Sequence, residues 1–123
     1  MKVALSACLM ALSVSFAVSA MADCPYPKMP ADPPSGATAT KEEMIAAKKV
    51  TTQYSNDMLE YLKCLDDEAN SAVAALGADH KPEQEEPIKN KRDLKYDAAE
   101  KTMQKYVDSF NSELRAYKAK QAQ

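Results

Sequence analysis

Residues 40–77, TKEEMIAAKKVTTQYSNDMLEYLKCLDDEANSAVAALG, decide the fold. No proline or glycine interrupts them before Gly77. Met44, Ala47, Thr51, Tyr54, Met58, Tyr61, Leu65, Ala72 and Ala75 recur at steps of three, four or seven. That spacing draws one stripe along a long helix, predicted over residues 41–76. Thr40-Lys41-Glu42-Glu43 has the form of a capping box, in which the hydroxyl and the carboxylate satisfy orphan amides at a helix start. Gly77 suits the left-handed position after the last turn.

The following stretch, GADHKPEQEEP (residues 77–87), breaks the pattern. Pro87 fits the first turn of a second helix, with Glu83, Glu85 and Glu86 near its positive end. Tyr96, Ala99, Met103, Tyr106, Phe110, Leu114 and Tyr117 form a second stripe, so this helix is predicted over residues 88–118. Two long helices joined by about ten residues fold back into an antiparallel hairpin with a coiled-coil-like seam.

Charge gives the same orientation, because residues 23–88 are rich in acids and 89–123 in bases. A fold-back near Pro82 makes facing residue numbers sum to about 163, bringing Asp66, Asp67 and Glu68 toward Arg92 and Lys95. It also brings Asp57 and Glu60 toward Lys101 and Lys105, and Glu42 and Glu43 toward Lys118 and Lys120. Exposed pairs contribute only about 0–1 kcal/mol each, so they orient the arms more than they stabilise them.

Upstream, Lys2, the apolar run Val3–Val18 and the small residues ending in Ala20-Met21-Ala22 read as a secretory signal peptide, residues 1–22, cleaved after Ala22. An uncleaved anchor is the alternative, but the run falls short of the roughly 20 apolar residues a spanning helix needs. No stable membrane insertion is therefore expected after cleavage. Leu5-Ser6-Ala7-Cys8 matches the residue types before a lipid-modified cysteine, yet cleavage there leaves too short a leader, so Cys8 is read as leader. The mature chain then divides into a proline-rich strap, residues 23–39, and a helical hairpin domain, residues 40–123.

Cys24 and Cys64 are the two cysteines left, and in an exported chain they are expected to pair. Pro25, Pro27, Pro30, Pro33 and Pro34 remove backbone donors and fix φ, which favours an extended strap. From Thr40 back to Cys24 such a strap reaches about 50 Å. The helix from Thr40 to Cys64 is only about 36 Å long. The strap can therefore run back along helix 1 to Cys64, and closing that loop is worth up to about 4 kcal/mol. Tyr26, Met29 and the proline rings would form a third layer over Tyr54, Met58 and Tyr61. The alternative is a disordered tail held only by the disulfide.

The net charge of −2 on 123 residues excludes a nucleic-acid binder of the basic kind. His80 is the only histidine, and with Asp79, Glu83, Glu85 and Glu86 on a solvated loop it makes a poor cation site. Met29, Met44, Met58 and Met103 are scattered and fall mostly on the stripes, which suits packing better than soft-metal handling. No thiol, serine or zinc-protease motif occurs in the mature chain, so neither enzyme activity nor a cofactor is expected.

Tyr54, Tyr61, Tyr96, Tyr106 and Tyr117 put more hydroxyls on the inner stripes than a dry seam satisfies easily. Either they reach water at the edges of a thin core, or they belong to an interface. Tyr54, Met58, Tyr61, Met103, Tyr106, Phe110 and Tyr117 are the interface or groove candidates.

Cys24-Pro25-x-Pro27, GATATKEEM, Tyr61-Leu62-x-Cys64-Leu65 and FNSELRAYK stand in an order that resembles a group of small exported bacterial proteins of unknown function. The resemblance covers nearly all of the mature chain. It implies an envelope address and a paired cysteine, and it carries over no functional residue. The expected function is that of a non-enzymatic periplasmic or secreted protein working through a protein partner or as a homo-oligomer. The alternative is a binder of an apolar small molecule in the groove between strap and helices.

Overall fold

A computed structural model describes residues 23–123; the leader, its cleavage after Ala22 and Cys8 lie outside the described residues. The chain is all-α, with α1 over Lys41–Ala74 and α2 over Pro82–Gln121, folded back on each other as an antiparallel hairpin. At the start of α1 the capping box forms in both directions. Glu43 N–H donates to Thr40 Oγ1 at 3.2 Å, and Thr40 N–H donates to Glu43 Oε2 at 2.7 Å.

α2 departs from expectation by starting at Pro82 rather than near Ile88. Pro82 takes the first helical position, where its missing N–H costs nothing. Gln84 Oε1 accepts from the Lys81 N–H at 2.8 Å and closes that end. Pro87 therefore lies inside the helix, on an exposed stretch where water can take the carbonyl it leaves free. At the other junction α1 ends at Ala74, and Gly77, at φ 89°, sits two residues beyond the cap residue Ala75. That φ lies in the left-handed region open to glycine.

The earlier start of α2 tightens the register. Asp66 meets Arg92, Glu68 meets Lys91 and Tyr54 meets Tyr106, so facing numbers sum to about 159 instead of about 163. Three of the other acids expected to reach across the seam take local partners instead. Asp67 binds Lys63 at 2.5 Å, Asp57 accepts from Gln53 at 2.6 Å, and Glu43 is held in its cap.

The core has two parts. Tyr54, Met58, Tyr61, Leu62, Leu65, Ala99 and Tyr106 form the larger, with Cys24, Tyr96 and Met103 packed against it. Ala39, Met44 and Phe110 form the smaller, against Ala47, Leu114 and Tyr117. In the larger part Met58 and Ala99 are fully buried, as a small residue opposite a long one allows close helix approach.

The strap is bedded on the hairpin at three levels. A Cys24–Cys64 disulfide, with Cα atoms 5.8 Å apart, fastens its start to α1. The Tyr26 ring packs edge-on against Tyr61 at 5.0 Å, and Tyr106 O–H donates to the Ala31 carbonyl at 3.0 Å. At its far end Gly36 N–H donates to Glu113 Oε2 at 2.8 Å. Met29 departs from expectation: it lies beside Thr102, Lys105 and Ser109 of α2 instead of over α1, because the strap crosses the groove between the helices.

Gly36 explains why the strap ends where it does. A Cβ there would stand 1.9 Å from the Glu113 carbonyl oxygen and 2.7 Å from the Tyr117 nitrogen. Backbone meets backbone with no room for a side chain. Gly36→Ala is accordingly expected to lower stability by about 1–3 kcal/mol through forced overpacking, read from urea unfolding of the oxidised chain.

Candidate interaction face

The strap covers one side of the hairpin only. It meets α1 at Glu43, Ala46, Val50, Glu60 and Cys64, and α2 at Thr102, Lys105, Ser109 and Glu113. At 3.6 residues per turn the opposite flank of α1 presents Ile45, Thr52, Ser55, Leu59 and, toward the seam, Leu62. The matching flank of α2 presents Tyr96, Met103, Val107 and Leu114. Leu59 is 55% exposed and Ile45 48%, while Met103, Val107 and Leu114 are half-buried. Apolar side chains from both helices, broken on α1 by Lys48, Thr52 and Ser55, thus share this side with no layer above them among the described residues.

Most of the sequence-derived interface or groove candidates lie elsewhere. Tyr54, Met58, Tyr61, Tyr106 and Phe110 are buried, and Met103 and Tyr117 are half-buried at the edges. Tyr54 and Tyr106 stack edge-to-face at 5.1 Å beneath the strap. Burial pushes the Tyr54, Tyr61 and Tyr106 phenols above their ordinary range, so all three are neutral. Ile45 and Leu59, which carry the exposed strip, fall off the stripe that marks the core. Their signal is a second apolar spacing, Ile45 to Leu59 at two heptads, interrupted by Thr52.

The Tyr54 hydroxyl is buried without a hydrogen-bond partner, whereas Tyr106 holds the strap. An unsatisfied buried hydroxyl costs about 1–3 kcal/mol, and a made hydrogen bond contributes about 1 kcal/mol. Tyr54→Phe is therefore expected to melt at or above the wild-type temperature. Tyr106→Phe is expected to melt lower and to increase amide exchange in the strap.

His80 stitches the interhelical loop. Its Nδ1 lies 2.6 Å from the Gly77 carbonyl and its Nε2 2.6 Å from Glu85 Oε1, and Lys89 also reaches Glu85. Two acceptors favour an imidazolium, which donates to both. The Glu85 hydrogen bond, then the Gly77 carbonyl, raise the His80 pKa above 6.5, while Lys89 and His80 lower that of Glu85. The loop's ionic contribution is lost as pH rises through the raised His80 pKa, and lost again as pH falls through the lowered Glu85 value. An NMR titration of the His80 ring is expected to give a midpoint above 6.5, moving down in Glu85→Gln.

Among the described residues no group of three or more His, Cys, Asp or Glu side chains converges, and no helix is long and apolar enough to cross a membrane. Compared with family models, curated proteins and solved structures, the chain matches none.

Proposed function

We propose that this is a non-enzymatic, exported protein of the bacterial envelope, periplasmic or secreted, that works by protein contact through the face opposite the strap. The observation that carries this reading is the strip of Ile45, Leu59, Met103, Val107 and Leu114. Leu59 stands exposed there beside half-buried neighbours from both helices. A single exposed leucine is ordinary, but apolar side chains drawn from both helices onto one uncovered side are what a binding surface requires. The bridged cysteines suit an oxidising compartment, and the leader pattern and the sequence resemblance point to the envelope.

The test is a photo-reactive residue placed at Leu59 or, as control, at Leu94, which is 75% exposed on the outer side of α2. Irradiation of living cells is expected to yield a discrete cross-linked band from position 59 alone. Equal yields from both positions, or none from either, contradict the reading.

A second reading has its own observation. Beyond Cys24, toward the interhelical loop, the groove opens into a cleft of about 220 Å³ floored by Leu65, Ala69, Ala72 and Ile88, with Glu68, Lys91, Arg92 and Lys95 around it and Lys91 paired to Glu68 at 3.8 Å. Such a cleft suits a small apolar molecule. Native mass spectrometry of protein taken from its own cells distinguishes this reading by an added mass.

A further inference from the structure

We propose that the Cys24–Cys64 bridge is a gate as well as a staple: an external dithiol reduces it, and residues 23–30 then swing off the hairpin about Ala31 and uncover Tyr54 and Tyr61. Three observations converge on this.

The first is how unevenly the strap is held. The Ala31 carbonyl accepts from the Tyr106 hydroxyl at 3.0 Å, and the Gly36 N–H donates to Glu113 at 2.8 Å. Upstream of Ala31 the strap makes no hydrogen bond to either helix among the described residues. Cys24 Sγ lies 3.6 Å from Glu68 Oε2, but it carries no proton while the bridge stands. Residues 23–30 therefore rest on the covalent tie, on the edge-on contact of Tyr26 with Tyr61, and on Met29 beside α2. Tyr26 and Met29 are themselves half exposed, at 51% and 50%. With the tie cut, the anchors at Ala31 and Gly36 remain, so Ala31 becomes the hinge.

The second is what lies beneath. Tyr54 is 2% exposed and Tyr61 8%, and the Tyr54 hydroxyl has no hydrogen-bond partner. Burial, then the phenols of Tyr26 and Tyr106, raise the Tyr54 pKa, which places Tyr26 among the groups that enclose it. When Tyr26 leaves, water reaches that hydroxyl and supplies the missing hydrogen bond. The closed form thus carries a penalty that the open form sheds, and the segment has two competing states once the bond is gone.

The third is access. Both cysteines are half-buried, and Pro25, Tyr26, Pro27, Asp57, Glu60 and Tyr61 surround a depression of about 410 Å³ that reaches Cys64. An incoming thiolate forms a new S–S bond to Cys64 Sγ, while Cys24 leaves as a thiolate and takes a proton from water. The second thiol of the same donor then displaces Cys64, which is protonated in turn. The bridge gains two electrons, and the donor loses two and departs as a disulfide. Because Cys24 is the first leaving group, the strap is free from the first step.

The test treats the oxidised exported chain, without denaturant, with dithiothreitol in one arm and reduced thioredoxin in the other. Dithiothreitol carries no carboxylate to clash with Asp57, Glu60 and Glu68. Mass analysis is expected to show both cysteines reduced. NMR is expected to lose the ring-to-ring contact of Tyr26 with Tyr61 while the Gly36 amide signal stays in place, and circular dichroism to keep its helix content. Tyr54→Phe, which lacks the orphan hydroxyl, is expected to shift the reduced strap about tenfold toward the closed form. Whichever donor is faster supports the gate and names its source, a small dithiol or a protein-borne one. A bridge that yields to neither until urea unfolds the chain overturns the proposal. So does a reduced chain that keeps the Tyr26–Tyr61 contact, because the strap then seats without its tie. Loss of helix on reduction also overturns it, leaving the bridge a staple alone, and a Tyr54→Phe chain that opens as readily as the wild type overturns the two-state account.

Discussion

The Cys24–Cys64 bridge is the constraint on which the rest of this structure depends. Two helices alone share a single seam, and a chain of this size is marginal when only one stripe per helix is buried. The bridge fixes the start of a segment that has no regular secondary structure and lays it in the groove between the helices. Its backbone then finds partners on α2, Ala31 at Tyr106 and Gly36 at Glu113, while the bridge ties it to α1. A covalent tie at one end and a backbone-to-backbone fit at the other hold an otherwise featureless strap in one course.

That arrangement makes the molecule two-sided. On the strap side Tyr54, Tyr61 and Tyr106 are covered; the Ala31 carbonyl satisfies the Tyr106 hydroxyl, while that of Tyr54 is left without a partner. On the other side the seam residues Leu62, Met103 and Leu114 lie under nothing but each other, with Leu59 and Ile45 beside them. The same stapling that completes the core on one face leaves the second face as the surface available for contact.

Much of this was legible in the residues and some was not. The capping box at Thr40, the three/four stripes and the reach of a proline-rich strap are local or additive features, and each appears where its pattern puts it. The start of α2 is different, because Pro82 and Pro87 both suit a first turn and only the register of the whole hairpin chooses between them. The role of Gly36 depends on how closely the strap approaches the Glu113–Tyr117 backbone, a long-range contact that no local pattern encodes. The candidate face was missed for a related reason. Tyrosine is conspicuous in a sequence, but which flank remains bare depends on the side the strap takes, and that choice is made by Cys64 lying on the flank of α1 away from Leu59.

The most direct measurement is equilibrium urea unfolding of the oxidised chain beside its Cys24→Ser, Cys64→Ser double variant, followed by far-ultraviolet circular dichroism. If the tie holds strap and hairpin together, the variant unfolds at clearly lower urea, with a loss of up to about 4 kcal/mol for a bridge spanning 40 residues. Coincident unfolding curves would contradict it and leave the strap as a passenger on a hairpin that stands by itself.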